Sequence, residues 1–182
     1  MAQNYSKEYK MKEKLAYEEY PISEEEMGKH YKAWMNVLAQ HVVYLFKLGK
    51  EMGGDKFIDR VKADYSRQGE LSAAYWMKKS GTKSEDFNDC SNIPKIQDMI
   101  DTLYANFWDG YIENTPQAFE KEVTTCPVAK PWCQEPDICD AILGSFESGL
   151  MKGLNPKFRP KGFSRLLVKG DSSCRFRVEL ED

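Results

Sequence analysis

The last segment of the chain, residues 173–180, constrains the fold more strongly than any other part of the sequence. Its apolar side chains alternate with charged ones: Cys174, Phe176, Val178 and Leu180 face one way, and Arg175, Arg177 and Glu179 face the other. A period of two is typical of a β-strand with one covered face and one face toward solvent. Other elements must therefore pack on the covered face of the sheet that contains this strand.

Four strands in two hairpins are predicted for the C-terminal part of the chain. The first hairpin is expected near 106–113 and 118–125, where aromatic and β-branched residues flank a turn-forming segment. The second is expected near 162–169 and 173–180. Between them, apolar residues at every fourth position predict one helix over about 136–151.

The N-terminal half is predicted to be helical. A capping-box pattern at Ser23 and Glu26 precedes apolar residues that recur at steps of three and four, as on one face of a helix. These residues are Met27, Tyr31, Trp34, Leu38, Val42, Leu45 and Leu48. A second helix is expected from near Asp55, with a possible break at Gly69, and a third over about 94–104.

These elements together predict an α+β fold. A helical N-terminal half packs on an antiparallel sheet of about four strands, with one helix between the two hairpins. The 182 residues suit one domain, and we expect a single domain over 1–182. Within it we distinguish a polar leader (1–20), a helical part (21–104) and a sheet part (105–182).

Charge and composition exclude several classes of function. The net charge of −3, with lysines scattered among acidic residues, does not indicate a nucleic-acid binder. No segment has the apolar length of a membrane span, and the N-terminus has no apolar signal-peptide core. We therefore expect a cytoplasmic protein that acts on a small-molecule substrate, without nucleic acid or membrane as a partner. A homo-oligomer is possible.

The five cysteines are the chemically most informative residues, and without export they are expected to be thiols. Cys126 ends a predicted strand, Cys139 lies in the first turn of the predicted helix, and Cys174 is on the inner face of the last strand. A helix N-terminus favours a thiolate, whereas an apolar environment opposes it. Three roles remain open from the spacing: nucleophile, metal or cluster ligand, and plain packing residue.

One histidine is a further candidate. His41 lies on the first predicted helix beside Val37, Leu38 and Leu45, so it could contact a substrate lying against that helix. The alternative is a polar residue at the edge of an apolar stripe.

Three segments, taken in order, resemble the C-terminal signature of the L-2-amino-thiazoline-4-carboxylate hydrolase family. They read VTTCPVAKPW, DICDAILGSFESGL and FSRLLVKGDSSCRFRVEL. The matching features are a Cys-Pro after a strand, a nearby aromatic residue, a Cys-Asp that opens a helix, and a closing Gly-Asp-x-x-Cys-x-Phe strand. In this chain they are Cys126-Pro127, Trp132, Cys139-Asp140, Gly170-Asp171, Cys174 and Phe176. Cys90 and Cys133 lie outside the pattern.

The resemblance implies hydrolysis of a C–N bond in a small cyclic amidine, with opening of a thiazoline ring to a carbamoylated cysteine. It selects Cys126, Cys139 and Cys174 for the site, the first two as candidate nucleophiles. Asp140 and Asp171 become candidates for acid–base work. Each has an ordinary alternative role, Asp140 as a partner of the helix dipole and Asp171 as a hairpin-turn residue.

The remaining implied residues are substrate-binding. Trp132 is the aromatic residue of the pattern, and Arg165 or Lys169 could hold a substrate carboxylate. Arg165 could equally be a solvated residue of a strand surface.

Two other functions remain possible. The closing hairpin is also similar to the 4-vinyl-reductase and transport-particle class, whose members are non-catalytic small-ligand-binding domains. Alternatively, Cys126, Cys139 and Cys174 could hold a metal ion or an iron–sulfur cluster, although their spacing matches no known signature. No cofactor is expected for the hydrolase.

Overall fold

The computed structural model describes residues 24–103 and 107–181 of the chain. The leader predicted at 1–20 and the capping residue Ser23 lie outside these ranges. Contacts divide the chain into two units, residues 1–35 and 36–182. In the first unit, residues 24–35 are helical and mostly exposed, and Lys29 Nζ pairs with Glu25 at 2.7 Å. Because parts of the chain lie outside the described ranges, the single domain over 1–182 stays a prediction.

The predicted α+β class is confirmed. The helices are α1 (Glu24–Ser80), α2 (Ile93–Leu103), α3 (Ala129–Trp132) and α4 (Ser145–Leu154). A π-helical segment, Cys139–Gly144, leads directly into α4, and short 3₁₀ turns lie at Ser84–Phe87, Cys90–Asn92 and Leu167–Lys169. The strands are β1 (Phe107–Asn114), β2 (Ala118–Thr125), β3 (Phe158–Arg165) and β4 (Cys174–Leu180).

The four strands form one antiparallel sheet in the order β1-β2-β4-β3. Both predicted hairpins are present, but β3 begins four residues earlier than predicted. Residues 166–173 instead form a connection that contains a 3₁₀ turn and Gly170 at φ 93°. In the register of β2 and β4, Cys174 lies opposite Val123, and Phe176 opposite Lys121.

Helix α1 is interrupted at Gly54, whose φ of 54° and ψ of −141° are not helical. The predicted break at Gly69 is therefore wrong. A Cβ at Gly69 would lie 2.0 Å from the carbonyl oxygen of Phe146, and one at Gly149 would lie 1.8 Å from that of Ser66. Glycine is needed at Gly69 because the backbones of α1 and α4 touch there.

The buried face of α1 differs from the predicted one. Ala39, Val43 and Phe46 are buried, whereas Leu38 is 51% exposed and Leu45 is 61% exposed. Apolar residues occur on more than one side of this helix, so the periodicity alone selected the wrong stripe.

Two apolar clusters fill the interior of the second unit. The first joins α2, α4 and the inner face of the sheet, and includes Phe119, Leu150, Phe158 and Phe176. The second joins α1, α3, the π-helical segment and the connection before β4, and includes Phe46, Trp132, Ile138 and Cys139. A salt bridge on the surface ties Lys50 of α1 to Glu135 at 2.8 Å and to Asp137 at 2.9 Å.

The outer face of the sheet is charged. Arg177 Nη1 lies 2.7 Å from Glu113 and 3.0 Å from Glu120, and Arg175 Nε lies 3.0 Å from Glu122. The alternation predicted for the last strand is confirmed, since Phe176 and Val178 are buried on the opposite face. Within the described ranges, none of the helices combines the length and apolar character of a membrane-crossing segment.

Candidate functional site

Three of the five thiols lie close together at one end of the sheet. Cys126 directly follows β2 and Cys174 is the first residue of β4. Because these two strands are antiparallel neighbours, both residues lie at the same end of the sheet. Cys139 is buried in the second apolar cluster, against which Cys174 packs. The three are near enough that a charge on Cys126 or Cys174 raises the pKa of Cys139. The structure thus brings together the cysteines that the sequence pattern selected.

Burial raises the pKa of each of these thiols. The largest cause in all three cases is loss of contact with water, which disfavours the thiolate. Cys139, in the first turn of the π-helical segment, is the most strongly shifted. The predicted benefit of the helix N-terminus is therefore outweighed by burial at this position.

Two backbone amides partly offset the effect of burial on Cys126. The N–H groups of Val128 and Ala129 lower the pKa of this thiol, and that of Ala129 donates to the Cys126 carbonyl oxygen at 3.2 Å. The proline after Cys126 ends the strand and turns the chain back into α3, which brings these two amides next to the thiol. Cys126 is also half-buried, whereas Cys139 is buried.

Cys174 is held by the connection that precedes β4. The backbone N–H of Leu167 donates to its Sγ at 3.3 Å, and Asp171 Oδ2 accepts from the N–H of Leu166 at 2.8 Å. Asp171 is thus an exposed turn residue, which is the alternative to acid–base work that the sequence left open. Its charge nevertheless reaches Cys174 and raises the pKa of that thiol.

A buried polar cluster lies beside the thiols and was not predicted from the sequence. Lys121 of β2 donates to both carboxylate oxygens of Asp101 of α2, at 3.1 and 2.9 Å, and lies 3.6 Å from Glu147 of α4. Gln97 Nε2 donates to Glu147 Oε1 at 3.0 Å. The charge of Lys121 lowers the pKa of Cys174, and that of Asp101 raises the pKa of Cys126, so cluster and thiols act on one another.

The sequence carried one signal for this cluster. The buried face of β2 presents Phe119, Lys121 and Val123, so Lys121 occupies an inward position of the strand. A lysine on the covered face of a sheet requires a buried acidic partner. The flanking Glu120 and Glu122 hid this signal, because the run as a whole reads as charged and exposed.

An apolar cavity of about 350 Å³ opens beside the same cluster. Its apolar walls come from α1, α2, the π-helical segment and α4, and consist of Tyr65, Ile100, Ile142, Leu143 and Phe146. Glu147 also lines it. Burial raises the pKa of Glu147, and its Oε2 has no hydrogen-bond partner among the residues described.

Two further predicted residues lie near the thiols. Asp140 is exposed, and its charge raises the pKa of Cys139. Trp132 is buried in the same apolar cluster as Cys139, and its Nε1 has no partner within the described ranges. An indole N–H that is buried without an acceptor is unusual, and it would donate to a ligand atom at this position.

Two predicted binding residues lie elsewhere. Arg165 is exposed and pairs in register with Arg175, so it belongs to the outer face of the sheet, away from Cys174. His41 is exposed on α1, where its Nδ1 lies 2.8 Å from the carbonyl oxygen of Val37. The substrate contacts predicted for Arg165 and His41 stay predictions, and neither side chain lies beside the three thiols. Lys169 is a cation on the thiol side, since its charge lowers the pKa of Cys139.

The donor side chains are spread out. In residues 24–103 and 107–181, no three His, Cys, Asp or Glu side chains are grouped so as to hold a metal ion.

Comparison with known proteins gives a likeness of fold. No family model and no curated protein matches the chain. Among solved structures, subunit 3 of the trafficking protein particle complex from Naegleria fowleri, covalently bound to palmitic acid, is similar over 83% of this chain and 97% of its own. The TM-score is 0.58 and the sequence identity 14%. At this identity the likeness shows a shared fold and nothing of function.

Proposed function

We propose that this protein is a hydrolase that opens a C–N bond of a small cyclic amidine, with Cys126 as the nucleophile. The observation that carries the proposal is the position of Cys126 near Cys139 and Cys174, with the backbone amides of Val128 and Ala129 lowering the pKa of its thiol. The motif that resembles the L-2-amino-thiazoline-4-carboxylate hydrolase family contributes all three of these thiols. This convergence is what a shared catalytic pocket requires.

The raised thiol pKa values suit a site that is switched on by its substrate. A buried thiol stays protonated while the site is empty, and an amidinium cation beside it lowers its pKa. Proton transfer then needs a carboxylate within reach. Asp101 is the candidate for Cys126, because its charge already acts on that thiol, and Asp140 is the candidate for Cys139.

The reaction balances with water alone. The thiol adds across the amidine C=N, its sulfur bonding to the carbon and its proton passing to the ring nitrogen. The ring C–N bond then breaks, and the nitrogen leaves as an amine after taking a proton from the exocyclic nitrogen. Water attacks the same carbon and displaces the thiol, which regains its proton. The product carries a carbamoyl group, and neither oxidant nor reductant is consumed.

A substrate carboxylate has a candidate partner in this scheme. Lys169 replaces Arg165 in that role, because its charge reaches Cys139 whereas Arg165 lies on the other face of the sheet. Trp132 Nε1 supplies a buried donor to the same region.

The test is turnover of defined cyclic amidines by the purified protein. L-2-Amino-thiazoline-4-carboxylate and its close analogues are offered, and ring-opened product is followed by mass spectrometry. Ring opening that requires folded protein supports the proposal. No ring opening of any cyclic amidine in the series contradicts it.

A second candidate function is non-catalytic binding of a small apolar ligand. The observation that favours it is the cavity of about 350 Å³, within the range of roughly 300–1,000 Å³ that ligand pockets occupy. The fold likeness to a subunit that carries covalently bound palmitic acid points the same way. Mass spectrometry of the intact protein under native and denaturing conditions distinguishes the two. A retained apolar ligand without turnover favours the binding function.

A further inference from the structure

In the buried polar cluster, one carboxylate oxygen of Glu147 accepts a hydrogen bond and the other accepts none from the described part of the chain. Glu147 Oε1 receives a hydrogen bond from Gln97 at 3.0 Å and lies 3.6 Å from Lys121, whereas Glu147 Oε2 has no partner among the described residues. Gln97 Oε1 is also without one. Gln97 is fully buried and Glu147 is 8% exposed. Buried polar atoms almost always have partners, so unpartnered oxygens on two side chains that are hydrogen-bonded to each other require an explanation.

Gln97 Oε1 is an acceptor, and so is Glu147 Oε2 when the carboxyl is ionised, which defines the chemistry of the missing group. It must offer at least two N–H donors in one small, nearly planar unit. An amidine has this shape, and it is cationic near neutral pH. The buried cluster contains one cation, Lys121, and two carboxyl groups, Asp101 and Glu147. A second cation at Glu147 would balance the charge that remains when both carboxyls are ionised.

The cavity supplies the rest of such a site. Glu147 is the acidic residue among its lining residues, and the other walls are apolar or aromatic apart from Gln68. Tyr65 and Gln68 are exposed, so the cavity opens to solvent. A ring or short apolar body would contact Ile100, Ile142 and Phe146 while its polar end meets Glu147.

We propose that Glu147 and Gln97 form a recognition site for an amidine group, reached through the cavity between α1, α2 and α4. This inference rests on the proposed function, because it assigns the residues that select the substrate class of that reaction. It goes further in placing recognition on an acidic and an amide side chain that lie outside the cysteine motif. Lys121 links this site to the thiols, since it contacts Glu147 and its charge reaches Cys174.

Binding is then coupled to the proton on Glu147. The titratable and polar groups that face Glu147 are Lys121 from β2, Asp101 and Gln97 from α2, and Tyr65 across the cavity from α1. An amidinium ion binds the carboxylate and competes with the proton. The affinity for an amidinium should therefore rise with pH until Glu147 has lost its proton.

The experiment uses benzamidine as the probe, because it is an amidinium on an apolar ring and cannot be ring-opened. Isothermal titration calorimetry with the full chain is expected to show binding, with benzoate of the same shape not binding. Glu147→Gln should weaken binding about tenfold to a hundredfold, as loss of one charged hydrogen-bonded contact does. Glu122→Gln, on the outer face of the sheet, is the matched control and should leave the affinity unchanged.

A second measurement needs no variant. The affinity of the wild-type protein for benzamidine should increase as the pH rises above 4.5, the ordinary pKa of a glutamate, with proton release on binding. A pH-independent affinity, equal binding of benzoate, or full affinity in Glu147→Gln would overturn the inference, even if ring opening by Cys126 were observed. Glu147-dependent binding without ring opening of any amidine would instead leave this inference standing and refute the hydrolase.

Discussion

Lys121 of β2 donates to both carboxylate oxygens of Asp101 of α2, at 3.1 and 2.9 Å, inside the protein. The two side chains are 5% and 3% exposed. At this depth the charges depend on each other, because removal of either one leaves the other buried without its main counter-charge. The pair therefore connects the sheet to α2 and fixes the charge environment of the thiols.

Replacing Lys121 with methionine is expected to destabilise the protein by about 3–5 kcal/mol, the usual cost of breaking a buried ion pair by removing one member. Urea unfolding followed by circular dichroism measures it. The control is Lys161→Met, because Lys161 forms an exposed pair with Glu179 at 3.0 Å on the outer face. That change should cost less than about 1 kcal/mol. Equal effects of the two changes would contradict the assignment of a buried pair.

The backbone contact between α1 and α4 gives a second prediction. A methyl group at Gly149 would lie 1.8 Å from the carbonyl oxygen of Ser66, so Gly149→Ala must push the helices apart. We expect a loss of at least the roughly 1–3 kcal/mol typical of overpacking. Gly28→Ala is the control, since no described atom lies within 4 Å of its added Cβ. Thermal melting of both variants measures the change in stability. A Gly149→Ala protein as stable as wild type would refute the close contact between the two helix backbones.

The helices also show what the sequence could and could not predict. The last strand was predicted correctly because its alternation has only one structural solution, with Phe176 and Val178 inside. The buried stripe of α1 was wrong because apolar residues surround that helix, and only the packing partners selected Val43 and Phe46. Gly69 was interpreted as a break because a helix crossing leaves no local mark in the sequence.

The pKa of Glu147 leads to a third prediction. Burial raises it above the ordinary value of 4.5, so the folded state holds the proton more tightly than the unfolded state. The contribution of this residue to stability is therefore fully present below the unfolded pKa, and is lost as the pH rises toward the folded pKa. Glu147→Gln should gain stability relative to wild type as the pH increases from about 4 to 8.

Glu122→Gln is the control, and its stability relative to wild type should change with pH in the opposite direction. Hydrogen bonds from Ser173 and Arg175 lower the pKa of Glu122, so Glu122 contributes stability above its unfolded pKa and loses it as the pH falls. Glu122→Gln should accordingly be less stable than wild type near neutral pH. Urea unfolding of both variants across the pH range measures the two slopes. A Glu147→Gln curve parallel to wild type would mean that the carboxyl is not buried.

Thiol reactivity gives a fourth prediction. Cys133 is exposed, whereas burial raises the pKa of Cys90 to about 11 and also raises those of Cys126 and Cys139. Iodoacetamide reacts with the thiolate, so Cys133 should be modified first at neutral pH. Peptide mass spectrometry at timed intervals gives the order. Modification of Cys139 as fast as Cys133 would contradict its buried position.

The candidate site was partly accessible from the sequence. The motif selected Cys126, Cys139 and Cys174, and the structure brings them to one end of the sheet. Arg165 and His41 lie apart from the thiols for a shared reason: each is on an element whose orientation depends on long-range packing. Glu147 and Gln97 were missed for the same reason, because their pairing across α4 and α2 has no pattern along the chain.

The central claim is that Cys126 attacks the amidine carbon. The most direct test is the initial rate of ring opening of L-2-amino-thiazoline-4-carboxylate by wild type, Cys126→Ser, Cys139→Ser and the exposed control Cys133→Ser, with folding checked by circular dichroism. We expect Cys133→Ser to keep the wild-type rate and Cys126→Ser to lose at least about a hundredfold, as removal of a nucleophile does. A full rate in Cys126→Ser would contradict the account, whatever the rate of Cys139→Ser.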